Sequence, residues 1–191
     1  CGIAGVIKNS SNKFNSEQIL SKFTATLSHR GPDASDYWIS DDNRVGLAHT
    51  RLSIQDLSHN GNQPMKSSNS RYIIVYNGEI YNYPRLREEL LKFGIKFRSN
   101  SDTEVLLELI SMFGVDKVLN KLDGMFAFSV YDKISKLLYL ARDRIGEKPL
   151  YYGEVAGNFF FSSELKVFKI FKNELDISSS AVNEYLKYNY V

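Results

Sequence analysis

The sequence has one cysteine and three histidines, too few for two common ways of stabilising a small domain. With Cys1 as its single cysteine, the chain cannot form an intramolecular disulfide. The histidines, at positions 29, 49 and 59, lack the spacing of a metal-binding pair on a helix or a hairpin. We therefore expect neither a disulfide nor a metal site.

The sequence also lacks a strong charge of either sign, long hydrophobic runs and a secretory leader. Its 24 Lys and Arg residues nearly balance its 22 Asp and Glu residues, and a net charge of +2 gives no electrostatic footprint for nucleic acid. No apolar run approaches the ~20 residues that cross a bilayer, and no basic segment followed by a hydrophobic one opens the chain. We expect a cytoplasmic protein with neither nucleic acid nor a membrane as its partner.

Length and composition predict one domain with an apolar core. The chain has 191 residues, within the ~100–200 expected of a single domain. Its hydrophobic fraction of 43%, aromatic fraction of 13% and charged fraction of 24% are ordinary for a globular protein. These values exclude disorder and collagen-like structure.

Apolar periodicity divides the chain into the helices and strands of an α+β domain. Helical spacing and capping residues predict helices over 16–27, 84–94, 102–110, 164–171 and 181–188. Small, β-branched and aromatic runs predict strands over 2–8, 37–40, 45–50, 71–76, 125–131, 137–142, 150–152 and 159–162. We interpret the last four strands as one antiparallel sheet and the whole as sheets covered by helices.

Cys1 carries both a thiol and a free α-amine. Its place at residue 1 leads us to expect that an initiator methionine has been removed. An α-amine has a pKa of about 7.7–8.0, so near neutral pH it can accept the thiol proton. We predict that Cys1 is a nucleophile that supplies its own base. The alternatives are a small buried hydrophobe or an arbitrary starting point of the chain.

The dipeptide Asn77-Gly78 follows the predicted strand 71–76, at its exposed end. It offers a side-chain N–H beside a backbone N–H that no side chain shields. Such a pair can hold the oxygen that becomes negative during acyl transfer from an amide, which predicts an oxyanion hole. The alternative is a hairpin turn, for which Asn-Gly is equally suited because it tolerates positive φ.

Three charged residues are candidates for binding a substrate with both a carboxylate and an ammonium group. Arg51 follows a predicted strand, where its guanidinium can form a bidentate pair with a carboxylate; a solvated surface role is the alternative. Glu79 and Asp102 supply the opposite charge. Taken alone, Asp102 is only a favourable charge at a helix N-terminus.

A series of motifs occurs in one order along nearly the whole chain. They are Cys1-Gly2-Ile3-Ala4-Gly5-Val6, His29-Arg30-Gly31-Pro32-Asp33, Arg51-Leu52-Ser53-Ile54, Gln63-Pro64-Met65, Tyr76-Asn77-Gly78-Glu79-Ile80-Tyr81-Asn82, Ser101-Asp102-Thr103-Glu104, Gly124-Met125-Phe126-Ala127-Phe128, Pro149-Leu150-Tyr151-Tyr152 and Ser163-Glu164-Leu165-Lys166. The set resembles the glutaminase domain of glutamine-hydrolysing asparagine synthetases.

This resemblance implies a fold and a reaction. The implied fold is that of the N-terminal-nucleophile hydrolases, a four-layer αββα sandwich in which two antiparallel sheets lie between helices. In the implied reaction, Cys1 attacks the side-chain amide of L-glutamine while Asn77 and Gly78 hold the oxyanion. Ammonia leaves, and water then releases glutamate from a γ-glutamyl thioester. This reaction needs no cofactor and no metal.

The resemblance also implies how the substrate is held. The position of Arg51 binds the substrate carboxylate, and those of Glu79 and Asp102 face its ammonium group. Leu52 and Ile54, from the same motif as Arg51, complete the implied substrate-binding set.

The family continues into an ATP-dependent synthetase domain, which uses ATP and magnesium and receives the ammonia. The 191 residues contain no glycine-rich phosphate loop of the Gly-x-x-x-x-Gly-Lys type. We therefore expect residues 1–191 to be one glutaminase domain that ends, at Val191, within the linker to an absent synthetase domain. The partners implied are L-glutamine and that domain, with a homodimer left open.

The sequence leaves several hypotheses for the function. Glu147 stands where the family more usually has an apolar residue, a variation that we associate with relatives that amidate sugar acids of surface polysaccharides. The ammonia acceptor is thus either aspartate or a sugar acid. A catalytically idle, glutamine-binding regulatory domain is a third reading, against which the completeness of the site counts. The fourth is an amidotransferase of purine or glucosamine synthesis, which the motif over 76–82 disfavours.

Overall fold

The computed structural model describes residues 1–9 and 15–189; Val191, where we expected a linker, lies outside them. The strands are β1 (Gly2–Ile7), β2 (Ala34–Ile39), β3 (Val45–Arg51), β4 (Met65–Lys66), β5 (Tyr72–Ile80), β6 (Gly124–Asp132), β7 (Leu137–Arg142), β8 (Tyr151–Val155) and β9 (Asn158–Ser162). The α-helices are α1 (Ser16–Leu27), α2 (Tyr83–Lys92), α3 (Asp102–Phe113), α4 (Val115–Leu119) and α5 (Ser179–Tyr188). Short 3-10 helices span Ser28–Arg30, His59–Gly61 and Leu165–Glu174.

The strands form two antiparallel sheets. The first sheet has the order β2-β3-β1-β9-β8, and the second has the order β4-β5-β6-β7. The prediction that the last four strands make one sheet is wrong, because β6 and β7 belong to the second sheet and β8 and β9 to the first. Apolar alternation marks each hairpin, but which strand it pairs with depends on residues far away in the chain. Here β9 pairs with β1.

Three apolar clusters show how the layers stack. One lies between the two sheets and includes Ile3, Leu47, Ile73, Val75, Ala127, Tyr131 and Phe161. A second lies between the first sheet and α1 with the 3-10 helix over 165–174, and includes Ala4, Val6, Leu20, Phe23, Phe160 and Val167. The third lies between the second sheet and α2, α3 and α4, and includes Ile74, Leu86, Leu106, Ile110, Val118 and Phe128. The order helix, sheet, sheet, helix confirms the predicted αββα sandwich.

Strand β5 is longer than predicted and contains Asn77-Gly78 in its interior. The two residues pair with Ala127 and Phe126 of β6, so the dipeptide is neither a turn nor an exposed strand end. Its glycine is required for a steric reason, since a Cβ on Gly78 would collide with the carbonyl oxygen of Met125. A ladder of nine consecutive residue pairs with β6 outweighs the local turn preference.

The predicted helix starts are mostly confirmed. Asn15 caps α1 by accepting a hydrogen bond from the Gln18 N–H at 3.3 Å, and Ser101 caps α3 by accepting one from the Glu104 N–H at 3.3 Å. The segment 164–171, predicted as an α-helix, is instead a 3-10 helix, Leu165–Glu174. In the described ranges 1–9 and 15–189, no helix has both the length and the apolar character needed to span a bilayer.

Candidate active site

One pocket of about 220 Å³ brings together all eight residues proposed from the sequence. These are Cys1, Arg51, Leu52, Ile54, Asn77, Gly78, Glu79 and Asp102. The first sheet contributes Cys1 at the start of β1 and Arg51 at the end of β3, while the second contributes the residues of β5. The pocket therefore lies where the start of β1 and the end of β3 meet the second half of β5.

The main chain of Cys1 forms two hydrogen bonds with Arg30, one to its backbone and one to its side chain. The Cys1 amine donates to the Arg30 carbonyl oxygen at 2.9 Å, and Arg30 Nε donates back to the Cys1 carbonyl oxygen at 2.9 Å. The Leu52 N–H points at Cys1 Sγ from 3.4 Å. Such a donor stabilises a thiolate more than a thiol. These contacts fix both reactive groups of Cys1 at the pocket wall.

The α-amine of Cys1 is shifted towards its neutral form. Burial lowers its pKa from 8.0 to about 6, and the positive charges of Arg30 and Lys148 act in the same direction, while Asp33 opposes them. At neutral pH the amine is therefore mostly unprotonated. It has a lone pair with which it can accept the thiol proton.

Arg30 is held in turn by a surface ion cluster around Glu164. The carboxylate of Glu164 accepts from Arg30 Nη1 at 3.1 Å, from His29 at 2.8 Å and from Lys166 at 3.1 Å. Burial alone would raise the pKa of Glu164, but hydrogen bonds from these three side chains outweigh it and lower the pKa to about 2. Glu164 is therefore charged at neutral pH and fixes the side chain that holds Cys1.

Strand β5 has an edge left open by the shortness of β4, which pairs only with Ile73 and Ile74. Further along this edge the Tyr76 N–H donates to Gln63 Oε1 at 2.6 Å. The Ile80 N–H donates to an oxygen of Asp102 at 2.9 Å. Alternate residues of a strand direct their N–H groups to the same side, so the N–H of residue 78, between these two, also points out of the edge.

The N–H of Gly78 is available to a ligand. Phe126, which lies opposite Gly78 on β6, has its own N–H and C=O bonded to Asp143 on the far side. Gly78 and Phe126 are therefore a non-hydrogen-bonded pair of the antiparallel β5–β6 ladder. Because Gly78 lines the pocket, its N–H faces the space in which a substrate would lie.

The side-chain amide of Asn77 supplies a second donor beside the Gly78 N–H. Asn77 is only 4% exposed, and its side-chain Nδ2 has no hydrogen-bond partner among the described residues. A buried amide without a partner costs about 1–3 kcal/mol, so such a group in a pocket wall indicates a ligand that accepts from it. Asn77 Nδ2 and the Gly78 N–H together have the composition of an oxyanion hole.

Arg51 is buried and already holds part of the pocket wall. Its Nη1 donates to the Ser58 carbonyl at 2.8 Å and to Asn62 Oδ1 at 2.7 Å, and its Nη2 donates to the Asp56 carbonyl. Three of the five guanidinium donors are thus engaged with the loop over 56–62. Within the described part of the chain the other two donors are left for a ligand, so Arg51 is a loop anchor as well as a candidate carboxylate binder.

The opposite charge comes from the start of α3 and the end of β5. Asp102 is buried and accepts hydrogen bonds from the Tyr76 hydroxyl at 2.6 Å and from the Ile80 N–H. Burial raises the pKa of Asp102, although these hydrogen bonds oppose the rise, and the nearby Glu79 adds to it. A bound ammonium group would relieve the repulsion between the two carboxylates.

The two apolar residues of the predicted set lie at the rim. Ile54 is 75% exposed and Leu52 is 44% exposed. Leu52 reaches the nucleophile through its backbone N–H rather than through its side chain.

The sequence reasoning assigned no role to several lining residues, namely Arg30, Gln55, Gln63, Ser101, Thr103, Met125 and Lys148. Lys148 is placed by Asp143, whose carboxylate accepts from the Glu147 N–H at 2.9 Å and the Lys148 N–H at 3.1 Å. Most of these residues fall in the ordered motifs, which was the available signal. Their roles depend on partners that are distant in sequence.

The fold and this site define the class of protein. Over 89% of the chain, the structure matches a glutamine phosphoribosylpyrophosphate amidotransferase of Bacillus subtilis, with a TM-score of 0.76, 23% identity and 43% of that protein covered. At that identity the likeness shows the fold alone, which is the N-terminal-nucleophile fold expected from the sequence. The chain belongs to the family described as the glutamine amidotransferase domain, whose model matches residues 1–191.

Curated relatives carry the name of asparagine synthetases. Glutamine-hydrolysing asparagine synthetase 1 of Bacillus subtilis strain 168 is 38% identical over 193 aligned residues, covering 100% of this chain and 30% of that protein. Asparagine synthetase 3 of the same organism is 41% identical over 168 residues, covering 87% of this chain and 27% of that protein. The chain thus spans less than a third of the length of either relative.

Proposed function

We propose that this chain hydrolyses the side-chain amide of L-glutamine to glutamate and ammonia, with Cys1 as the nucleophile. One observation carries the proposal: a predominantly neutral α-amine and its own thiol share a pocket with Gly78 and with Asn77, whose Nδ2 has no hydrogen-bond partner among the described residues. A nucleophile, a base and an oxyanion hole are the groups that acyl transfer from an amide needs.

The reaction proceeds in two halves. In the first, the α-amine takes the proton from Sγ, and the thiolate attacks the amide carbon of glutamine. The carbonyl oxygen becomes negative and accepts hydrogen bonds from Asn77 Nδ2 and the Gly78 N–H. The protonated amine then gives its proton to the departing nitrogen, so that ammonia leaves and a γ-glutamyl thioester remains.

In the second half, the neutral amine takes a proton from a water molecule that attacks the thioester. The same two donors stabilise the second oxyanion. Collapse of this intermediate breaks the carbon–sulfur bond and returns the proton to Sγ, which releases glutamate and regenerates Cys1. No metal or nucleotide enters either half.

The charges along the pocket support an α-amino acid as the substrate. The two uncommitted donors of Arg51 suit the α-carboxylate. The carboxylates of Asp102 and Glu79 suit the α-ammonium group. We place glutamine between these ends, with its amide towards Cys1.

We further propose that a synthetase domain receives the ammonia, since the curated relatives are much longer than this chain. We assign ATP and magnesium to that domain because the resemblance to the glutamine-hydrolysing asparagine synthetases implies it. The name of the relatives favours aspartate as the acceptor. Glu147 is exposed and outside the pocket lining, so its departure from the family pattern leaves the proposed glutaminase residues unchanged, and a sugar acid is the alternative acceptor.

Ammonia and glutamate release by the purified chain tests the glutaminase proposal, with and without ATP, magnesium and EDTA. We expect slow hydrolysis that is independent of all three and is blocked by a thiol-directed glutamine analogue. The Cys1→Ala variant, and a chain with methionine before Cys1, should lose turnover, while Cys1→Ala still binds glutamine. A requirement for ATP, or inactivation by EDTA, would contradict the proposal.

A further inference from the structure

The backbone of Tyr76, immediately before the oxyanion residues, is held from two directions. Its N–H donates to Gln63 Oε1 at 2.6 Å, and its carbonyl oxygen lies 3.2 Å from His49 Nε2. Both groups point out of the open edge of β5, beyond Ile73 and Ile74, the two residues that β4 pairs with. Two buried side chains therefore replace a neighbouring strand at this residue.

The contact between His49 Nε2 and the Tyr76 carbonyl oxygen defines the tautomer of the imidazole ring. A carbonyl oxygen only accepts hydrogen bonds, so the proton of the imidazole is on Nε2. His49 is 1% exposed, and burial lowers its pKa to about 3, with the Cys1 amine and Arg51 contributing in the same direction. The ring is thus neutral over the range in which the Cys1 amine titrates, and it is a fixed donor to Tyr76.

His49 and Gln63 connect the oxyanion strand to the rest of the site. His49 lies on β3 opposite Ile3 of β1, two residues after Cys1, so its bond to Tyr76 joins the two sheets behind the nucleophile. Gln63 lines the pocket, and its Nε2 lies 3.4 Å from the hydroxyl of Thr103, next to Asp102.

We propose that His49 and Gln63 are positioning residues, which set the distance from Asn77 Nδ2 and the Gly78 N–H to Cys1 by holding the Tyr76 backbone. The peptide bond is planar, so fixing the Tyr76 carbonyl also fixes the N–H and Cα of Asn77. Neither side chain is assigned contact with the reacting atoms, and their effect passes through the strand. This proposal rests on the proposed function.

A matched pair of substitutions tests the contact of His49. Glutamine places its amide nitrogen near the position of imidazole Nε2 and can still donate to Tyr76, whereas asparagine places it near that of Nδ1 and cannot reach. We expect His49→Asn to lower kcat about tenfold or more, and His49→Gln to stay within about threefold of the unsubstituted chain. Equal kcat values for the two variants would overturn the proposal.

Three further measurements separate positioning from a general loss of structure. Glutamine affinity in the Cys1→Ala background, and the alkylation rate of Cys1 by iodoacetamide, should be unchanged by His49→Asn. Combined with Asn77→Ala, His49→Asn should cost about threefold or less, because residues that act through one another are not additive. Full additivity in this cycle would overturn the proposal. If His49→Asn does not fold, Gln63→Met takes its place in the cycle, with Gln63→Glu, which keeps the acceptor, as its control.

Amide hydrogen exchange keeps this inference distinguishable from the proposed function. We expect the peptide containing residues 76–78 to exchange faster in His49→Asn than in His49→Gln, whether or not the chain hydrolyses glutamine. If the unsubstituted chain is inactive but this difference in exchange is seen, the proposed function is refuted and the positioning of Tyr76 by His49 is supported. If the chain is active and the difference is absent, the proposed function is supported and the positioning role is refuted.

Discussion

Cys1 and Arg30 exchange two hydrogen bonds, amine to carbonyl and guanidinium to carbonyl, each 2.9 Å long. The first uses an N–H of the amine, so the lone pair is left to accept a proton. The second brings a permanent positive charge close to the amine and helps to lower its pKa. A single neighbour therefore both orients the base and adjusts its strength.

The first prediction concerns the pH dependence of catalysis. The amine has a pKa of about 6 in the folded chain, and only its neutral form can take the thiol proton. We expect kcat/KM to fall as the pH drops through about 6, and to be level from about pH 7 to about pH 8, in a profile measured from about pH 5 to about pH 9. An inflection at the ordinary amine pKa of 8.0 or higher would show that the site does not shift this group.

The second prediction concerns Glu164, which holds Arg30. In Glu164→Gln the Arg30 guanidinium keeps its charge but loses the carboxylate that partly offsets it, so its depressing effect on the pKa of the amine becomes stronger. The inflection of the pH profile should move to lower pH. Glu154→Gln, a change at an exposed position on β8, is the matched control and should leave the profile in place. Identical profiles for all three chains would exclude this role of Glu164.

The third prediction concerns Asn77. Replacement by alanine removes an oxyanion donor and should lower kcat by about 10²–10³, with a smaller change in glutamine affinity. Because Nδ2 has no partner among the described residues, the substitution breaks no hydrogen bond of that group, and the midpoint of thermal unfolding should not drop. Asn120→Ala, at an exposed position, controls for the change of residue type. A rise in KM with unchanged kcat would instead indicate uniform binding.

The fourth prediction separates the two tasks of Arg51. Lysine keeps the charge but cannot satisfy both the loop and a carboxylate, so Arg51→Lys should weaken glutamine binding about tenfold or more, since a hydrogen bond to a charged group contributes about 1.5–3 kcal/mol. Asn62→Ala removes one loop contact and leaves the guanidinium intact. We expect Asn62→Ala to weaken glutamine binding much less than Arg51→Lys, with both affinities measured by isothermal titration calorimetry. Equal losses would mean that Arg51 acts through the loop alone.

The local elements were largely predictable from the sequence. The start of α1 was predicted with Asn15 or Ser16 as the cap, and the structure has Asn15; the end follows from the apolar spacing up to Leu27. The sheet to which a hairpin belongs was not predictable. The aromatic run over 159–161 indicates a buried strand, but only the tertiary structure shows that this strand pairs with β1.

The candidate site was predictable where chemistry identifies a residue by itself, and not where a residue acts through others. A thiol at residue 1 and an Asn-Gly pair are recognisable in isolation. The conformation of that pair was not, because nine residue pairs with β6 hold it extended. Gln63 lies in one of the ordered motifs and His49 in none, and the roles of both were unpredictable, since each acts on the Tyr76 backbone, 13 and 27 residues away.

The two-residue length of β4 has a consequence for how the substrate is received. An exposed strand edge carries unpaired N–H and C=O groups that can pair with another chain, and proteins usually cover or block such an edge. Of the three outward N–H groups from Tyr76 to Ile80, the side chains of Gln63 and Asp102 occupy the first and the third, and the middle one stays open at Gly78. In the proposed complex the amide oxygen of glutamine fills that place, as the carbonyl of one more strand would. The substrate then takes the place of a strand at this edge of the sheet, and the early end of β4 leaves the space in which it binds.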